Sequence, residues 1–343
     1  MTLVVEILET VVTCAVVVGA LLTGFAYATW FERKVIARMQ LRVGPNQAGP
    51  AGLLLPAADG SKLFFKENIL PAAVEKGVYF LAPVMSMTVA IMAFAIIPVA
   101  DAVRVPWGDG WLRFQVADYN VALLYFLGVT SFAVYGIVLA GWASNNKYAL
   151  IGGLRSAAQM ISYELAMGLS LLGVAMIVGS LSLAEIVAWQ KAHGWLVALQ
   201  PLGFLIYCVT AVAETNRAPF DMPEAEQELI AGYHIEYTGM RFALFFMAEY
   251  IAMITVCAVA ATLFLGGYAL PFGIEVPWYL DIAVLLAKIA AGMFLFVWIR
   301  ATIPRLRYDQ LMDFGWKVLL PLAILNVVLT ALGIYAYQNG LLG

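Results

Sequence analysis

AETNRAPFDMPEAEQELIAGYHIEYTGMRFALFFMAEY, residues 213–250, runs out of one apolar stretch, crosses a polar turn and enters another. It gathers Glu214, Asp221, Glu224, Glu226, Glu228, Glu236 and Glu249 with Arg217, Arg241 and His234. A charge at the centre of a membrane span costs roughly 2.5–3.5 kcal/mol on insertion scales, so charges kept there point to function. A chain that collects them between two apolar stretches builds a polar site at one membrane face.

The rest of the chain explains why this segment stands out. Its 343 residues are 63% hydrophobic and only 12% charged, and the mean hydropathy is +0.89. A soluble domain carries about 25% charged residues, so composition alone gives an integral membrane protein. A spanning helix needs about 20 apolar residues. Windows of that kind fall near 4–31, 78–99, 121–142, 157–177, 195–213, 242–265, 280–299 and 318–337. Pro201 interrupts the fifth. The first carries Glu6 and Glu9, lacks a basic leader and is too long for a cleavable signal peptide. The expectation is an all-α polytopic membrane protein of about eight spans, with amphipathic interfacial helices in its loops and residues 1–343 forming one domain.

Charge distribution orients the expected spans. Arg33, Lys34, Arg38, Arg42, Lys62, Lys66, Lys76, Lys147, Arg155, Arg217, Arg241, Arg300, Arg305, Arg307 and Lys317 fall on one side. Only Arg104, Arg113 and Lys191 fall on the side of the termini, and Lys288 lies inside the seventh window. Basic loops remain cytoplasmic, so both termini are expected outside. The outward Trp107 and Trp111 suit an interfacial belt.

Several chemistries are excluded. Cys14, Cys208 and Cys257 sit singly in three windows, and His193 and His234 lie on opposite sides, so no Fe–S or zinc ligand set is readable. No GxGxxG or Walker pattern occurs, and nothing suggests nucleic acid. Any redox cofactor must sit on another chain.

Four loops on the basic side are dense in turn chemistry and charge. Residues 32–76 contain GPNQAGP, where Pro45 and Pro50 fix φ, followed by an alternating stretch over 51–65 that suits an interfacial amphipathic helix. Glu164 and Glu249 fall about two helical turns inside their windows. If 224–228 is helical behind Pro223, Glu224 and Glu228 share a face and Glu226 points elsewhere. Lys288 calls for a partner carboxylate or a water-filled cavity; a structural ion pair and a proton-path role both fit it.

The blocks ERK and ARMQLRVGPNQAGP (residues 32–34 and 37–50), SNNKYALIGGLRSAAQMISYE (144–164), the quoted 213–250 segment and IRATIPRLRYDQLMDFGWK (299–317) resemble one family. It is the membrane H-subunit family of proton-translocating NADH:quinone oxidoreductase, respiratory complex I, similar to mitochondrial NADH dehydrogenase subunit 1. Gln47 stands where the family more often has arginine, and Leu55 where glutamine is common.

The resemblance implies a translocase component without its own redox centre, in a bacterial plasma (inner) membrane with periplasmic termini. Ubiquinone or menaquinone would be the substrate, with NADH, FMN and iron–sulfur clusters on partner subunits. Implied partners are the soluble cluster-bearing and quinone-site subunits, small and antiporter-like membrane subunits, and the lipid bilayer. Carried over by motif, the quinone chamber would be lined by Glu32, Arg33, Asp59, Lys62, Arg217, Asp221, Glu224 and Glu226. Glu164, Glu214, Glu228 and Glu249 would form the buried acidic proton path, with Lys288 as a further candidate. A homologous subunit of a membrane-bound hydrogenase or other-donor dehydrogenase shares these features. A stand-alone cation/proton antiporter is the reading from another class, opposed by the heavy docking-type loops and the lack of an internal repeat.

Overall fold

The computed structural model describes residues 2–104, 111–112, 114–224, 226–271 and 277–340, with backbone alone for 2–9, 103–104, 111–112 and 226–227. The helices are α1 Thr2–Met39, α2 Leu55–Phe65, α3 Lys76–Phe94, α4 Ala122–Ala143, α5 Lys147–Val178, α6 Leu183–His193, α7 Pro201–Glu214, α8 Glu226–Leu229, α9 Gly239–Phe264, α10 Trp278–Thr302, α11 Tyr308–Phe314 and α12 Leu320–Gln338. One antiparallel pair of two-residue strands, β1 Val103–Arg104 and β2 Trp111–Leu112, lies in the α3–α4 connection. The fold is a helical membrane bundle.

Among the described residues seven helices are long and apolar enough to cross a membrane, α11 and α12 counting as one through a π-helical turn at Gly315–Leu319. The eighth expected span is α7, which has only 14 residues. Pro201 opens this helix at its first turn, where its missing N–H costs nothing. At 1.5 Å per residue α7 reaches about 21 Å, short of the roughly 30 Å hydrocarbon core. Both of its ends are therefore buried in protein: Gln200 on one side, Glu214 and Arg217 on the other.

Helix α9 is the hub, with 61% of its apolar window buried against 11% for α1. It packs on α3, α10, α1 and α7, while α5 joins α4, α7 and α12. The main core gathers Phe126 of α4, Met167 and Leu171 of α5, Tyr207 of α7, and Met253 and Phe264 of α9. Outer faces of α1, α10 and α12 stay apolar and exposed, as lipid or partner helices require.

Helices extend further at the basic face than hydropathy indicates. The first runs eight residues past the expected limit of 31, so Glu32 and Arg33 are helical and not in a loop. Helix α5 starts at Lys147, ten residues before its apolar window, so the GGLRSAAQ block is also helical. Polar residues continue a helix wherever they find partners. The interfacial helix of the first loop occupies 55–65 with no buried residue, after a 3-10 turn at Pro50–Gly52. The shared helical face expected for Glu224 and Glu228 does not form: residues 222–224 make a turn and α8 spans only four residues.

Gly141 of α4 shows how closely α4 and α5 approach. A Cβ there would sit 2.5 Å from the Ala149 carbonyl oxygen, a backbone atom that no rotamer change moves. Gly141→Ala is expected to cost about 1–3 kcal/mol by overpacking. Gly128→Ala on the same helix meets nothing within 4 Å and is the neutral control. Thermal unfolding of the purified proteins checks the difference.

Candidate functional site

Two polar groups sit where the basic ends of the helices meet. The first is a buried charge cluster. Arg217 follows α7, and its Nε lies 2.5 Å from Glu249 Oε1 of α9. Its Nη1 is 3.9 Å from Glu32 Oε1 of α1. Glu32 also pairs with Arg300 of α10 and accepts from the Tyr250 hydroxyl at 2.6 Å. The Arg217 guanidinium stacks over the Tyr250 ring at 4.3 Å, a further stabilising contact for a desolvated cation. Glu32 is 5% and Arg217 7% exposed. Two cations and two carboxylates balance, which is the condition for burying any of them. A void of about 10 Å³, one water's worth, lies among Glu32, Arg217 and Arg300.

The second group is a cavity of about 90 Å³ next to this cluster. Glu214, Glu224 and Glu249 reach its wall, with Ser86, Thr130 and Asn216 among apolar side chains. By volume it holds several waters. Glu214 Oε2 is buried and has no partner among the described residues. Glu164 of α5 lies close enough to Glu214 for their charges to repel, and it accepts from the Ser131 hydroxyl of α4.

Local contacts explain why the loop 215–238 holds this shape. Gln159 Nε2 of α5 donates to the carbonyls of Ala213 and Phe220, each at 2.7 Å. Arg305 Nε donates to the Asp221 carbonyl, and Leu306 N–H to that of Pro219. Asn146 donates to Glu236 Oε1, and the Tyr79 hydroxyl to the Glu236 carbonyl. The signature blocks of the sequence thus converge on one another.

The sequence-derived candidates divide. Arg33, Asp59 and Lys62 form an exposed network tying α2 to α1, with Arg33–Asp59 at 3.2 Å and Lys62–Asp59 at 3.8 Å. Glu32, the neighbour of Arg33, faces the buried cluster instead. Glu228 is half exposed, paired with Arg155 at 2.6 Å and Arg305 at 3.9 Å, and does not line the cavity. The side chain of Glu226 lies outside the described residues. The expected carboxylate or water-filled cavity at Lys288 is replaced by backbone. Its ammonium donates to the carbonyls of Leu265, Gly267 and Ala269 and lies over the Trp195 ring. A cation there complements the negative C-terminal end of α9. Sequence reasoning missed Arg300, Tyr250, Gln159 and Ser131; none carries a local signal, because each acts through a partner more than 30 residues away.

In the loop, burial first and then the negative charge of Glu224 push the Asp221 carboxyl up to about 6. Burial also acts to raise Glu224, but His234, then Arg217 and Arg300, outweigh it and lower its pKa.

Fold and site together define a polytopic helical membrane protein with a balanced ion cluster beside a glutamate-lined cavity. Residues 12–331 match the NADH dehydrogenase family, and the chain belongs to that family. Among relatives, the H subunit of the NADH-quinone oxidoreductase of Protochlamydia amoebophila is 55% identical over 90% of this chain and 92% of its own length. The H subunit from Deinococcus deserti is 51% identical over 95% of this chain and 83% of the relative. That from Rhodospirillum rubrum is 50% identical over 94% and 92%.

An acid whose folded pKa exceeds its unfolded value stabilises below the unfolded pKa and loses that contribution as pH rises through the folded one. For Asp221 the window runs from 3.8 to about 6. Asp221→Asn is therefore expected to raise thermal stability at about pH 8 and to lose most of that gain near pH 4. A loss of stability at the higher pH would show that the ionised carboxylate is paired.

Proposed function

We propose that this chain is the membrane component of a proton-translocating NADH:quinone oxidoreductase that forms part of the quinone chamber and couples quinone reduction to proton movement. The observation that carries the reading is the juxtaposition of the Glu32–Arg217–Glu249–Arg300 cluster with a cavity walled by Glu214, Glu224 and Glu249. The relatives, each the H subunit of an NADH-quinone oxidoreductase, support the complex. Soluble cluster-bearing subunits would supply NADH oxidation, FMN and the iron–sulfur clusters. Small and antiporter-like membrane subunits would receive the coupled charge.

In this reading the quinone head approaches from the basic face. Arg33, Asp59 and Lys62 lie on its outer approach and Glu32, Arg217, Asp221 and Glu224 further in, while Glu226 is assigned to the chamber by its motif alone. Arg217 Nη2 is buried without a partner among the described residues, a donor that a quinone carbonyl or water would satisfy. Reducing a quinone consumes protons, and a cavity with carboxylates on its wall and room for several waters is the kind of place that supplies them. Glu224, Glu214 and Glu164 then offer an inward sequence, with Glu249 as the carboxylate coupled to Arg217. Glu228, paired in the loop, and Lys288, held by carbonyls, are better suited to anchoring.

Glutamine keeps shape and polarity but carries no exchangeable acid proton. Glu164→Gln and Glu249→Gln are expected to assemble, judged by native gel, while turnover or proton uptake in reconstituted vesicles falls. Aspartate at either site is expected to retain part of the function. If Glu249 only anchors Arg217, glutamine instead lowers complex content, since breaking a buried pair costs about 3–5 kcal/mol. Wild-type pumping in both glutamine variants would remove these residues from the path.

The orientation is proposed from the positive-inside rule: basic face cytoplasmic, termini periplasmic. Single cysteines at Asn46, Lys147 or Glu224 should resist an impermeant thiol reagent on intact cells, and one at His193 should react. Asp109 and Gly343, the other outward probes, lie outside the described residues. External labelling at 147 or 224 would reverse the orientation.

A further inference from the structure

The three carboxylates on the cavity wall differ in what opposes their charge. Glu249 has Arg217, a cation at every physiological pH. Glu214 has one oxygen without a partner among the described residues, and the neighbouring charge acting on it is another carboxylate, Glu164. Glu224 faces His234, whose Nε2 lies 3.3 Å from Glu224 Oε1. At this separation the contact is one of charge, its alignment falling short of a hydrogen bond. Histidine is the side chain whose ordinary titration, near 6.5, falls in the physiological range. Glu224 is therefore the wall carboxylate with a counter-charge that can be switched.

The backbone is built to hold this pair. His234 ends the 3-10 turn Gly232–His234, whose Tyr233 N–H is directed at the Pro223 carbonyl at 3.4 Å. Gly232 has φ +56, and a Cβ there would lie 1.6 Å from that carbonyl oxygen. Gly152 of α5 lies beneath both strands of the turn, 2.9 Å from the Pro223 oxygen and 3.0 Å from the Gly232 Cα measured at its own absent Cβ. Two missing side chains thus let residues 223–224, 232–234 and α5 meet. The imidazole is mostly buried, edge-on to Tyr233 at 5.0 Å and to Phe242 of α9 at 5.1 Å. The charged groups acting on this loop pair are Asp221, Arg217, Glu249 and Arg300, of which Asp221, pushed up to about 6, also titrates near neutral pH.

We propose that His234 is the proton donor to Glu224 at the loop end of the cavity. Once the imidazole turns into hydrogen-bond alignment, the proton passes from Nε2 to Oε1, turning imidazolium and carboxylate into neutral imidazole and carboxylic acid with no net change of charge. Because His234 lowers the pKa of Glu224, the step runs uphill until the cavity takes the proton on. Glu224 then presents an acid proton to the cavity, and His234 is recharged from the basic face. The pair is the cavity's proton-loading step. This rests on the coupling role proposed above.

The test is made in the assembled complex with His234→Gln and His234→Lys. Lysine keeps a positive charge beside Glu224 but does not titrate near neutral pH; glutamine keeps neither. Proton donation predicts that both variants assemble and lose roughly a hundredfold of quinone-linked turnover, the low end for general acid catalysis. In an Asp221→Asn background, which silences the other near-neutral group, both should also flatten the near-neutral part of the pH profile of turnover. A merely electrostatic clamp predicts that lysine restores rate and profile, which would overturn the proposal. Wild-type turnover in the glutamine variant would do the same. The two readings fail separately: impaired Glu249→Gln with normal His234 variants sinks only the loading step. Fully coupled Glu164→Gln and Glu249→Gln variants remove the path itself.

Discussion

Burying Arg217 is the constraint on which the rest of this architecture depends. An isolated guanidinium at membrane depth costs several kcal/mol, so its surroundings must bring carboxylates to it. Glu249 comes from α9 and Glu32 from α1, and the second carboxylate in turn recruits Arg300 from α10. Three helices and the 215–224 loop are locked by one balanced set of charges. Removing Arg217 would leave Glu249 without its paired cation in a buried site, whereas Arg300 is partly exposed and Glu32 has a second cation in Arg217. The set also explains two irregularities in helix length. Helix α1 continues beyond its apolar window because Glu32 is satisfied inside the bundle. Helix α7 stops at Glu214, which lets the chain turn and deliver Arg217 below the surface.

The short α7 has a further consequence. A helix of about 21 Å cannot present both ends to the interface. Its last turn therefore opens into protein and leaves polar backbone that needs partners. Gln159 supplies them at Ala213 and Phe220, from the middle of α5. The result is a polar, irregular stretch of backbone at membrane depth, tolerated because it lines a cavity and not lipid. Cavity, ion cluster and loop are three aspects of one interrupted span.

Much of this is legible from residues. Apolar windows define the membrane class and nearly all the spans, because hydrocarbon demands a continuous run of about 20 residues whatever the tertiary context. The concentration of acids in 213–250 locates the site. What hydropathy misplaces are the helix ends at the basic face: Glu32, Lys147 and Arg155 read as loop because they are polar, yet tertiary partners carry the helix through them. The assumption of regular helix after Pro223 fails because Gly232 and Gly152 draw the backbone into a turn instead. Lys288 misleads for a related reason. A buried cation suggests a carboxylate partner, whereas three carbonyls at the end of α9 serve it. Arg300 and Tyr250 carry no signal of their own, since their role exists only through Glu32 on a helix far away in sequence.

Within the site, proximity alone does not separate anchoring from proton handling; the permanence of the opposing charge does. A carboxylate beside arginine has a permanent opposing charge, which suits it to orienting a ligand or holding structure. One beside another carboxylate has no opposing charge among the described residues. A carboxylate opposed by histidine changes with the state of its partner. Glu249, Glu214 and Glu224 occupy these three conditions around a single space of about 90 Å³. A transfer step needs such inequality, because protons move between groups only when their affinities can be reordered. The apolar remainder of the wall sharpens the differences, since low local dielectric amplifies each neighbouring charge. The loop is where that reordering can begin, being the part of the wall built from turns instead of packed helix, with an imidazole set against its acid from behind.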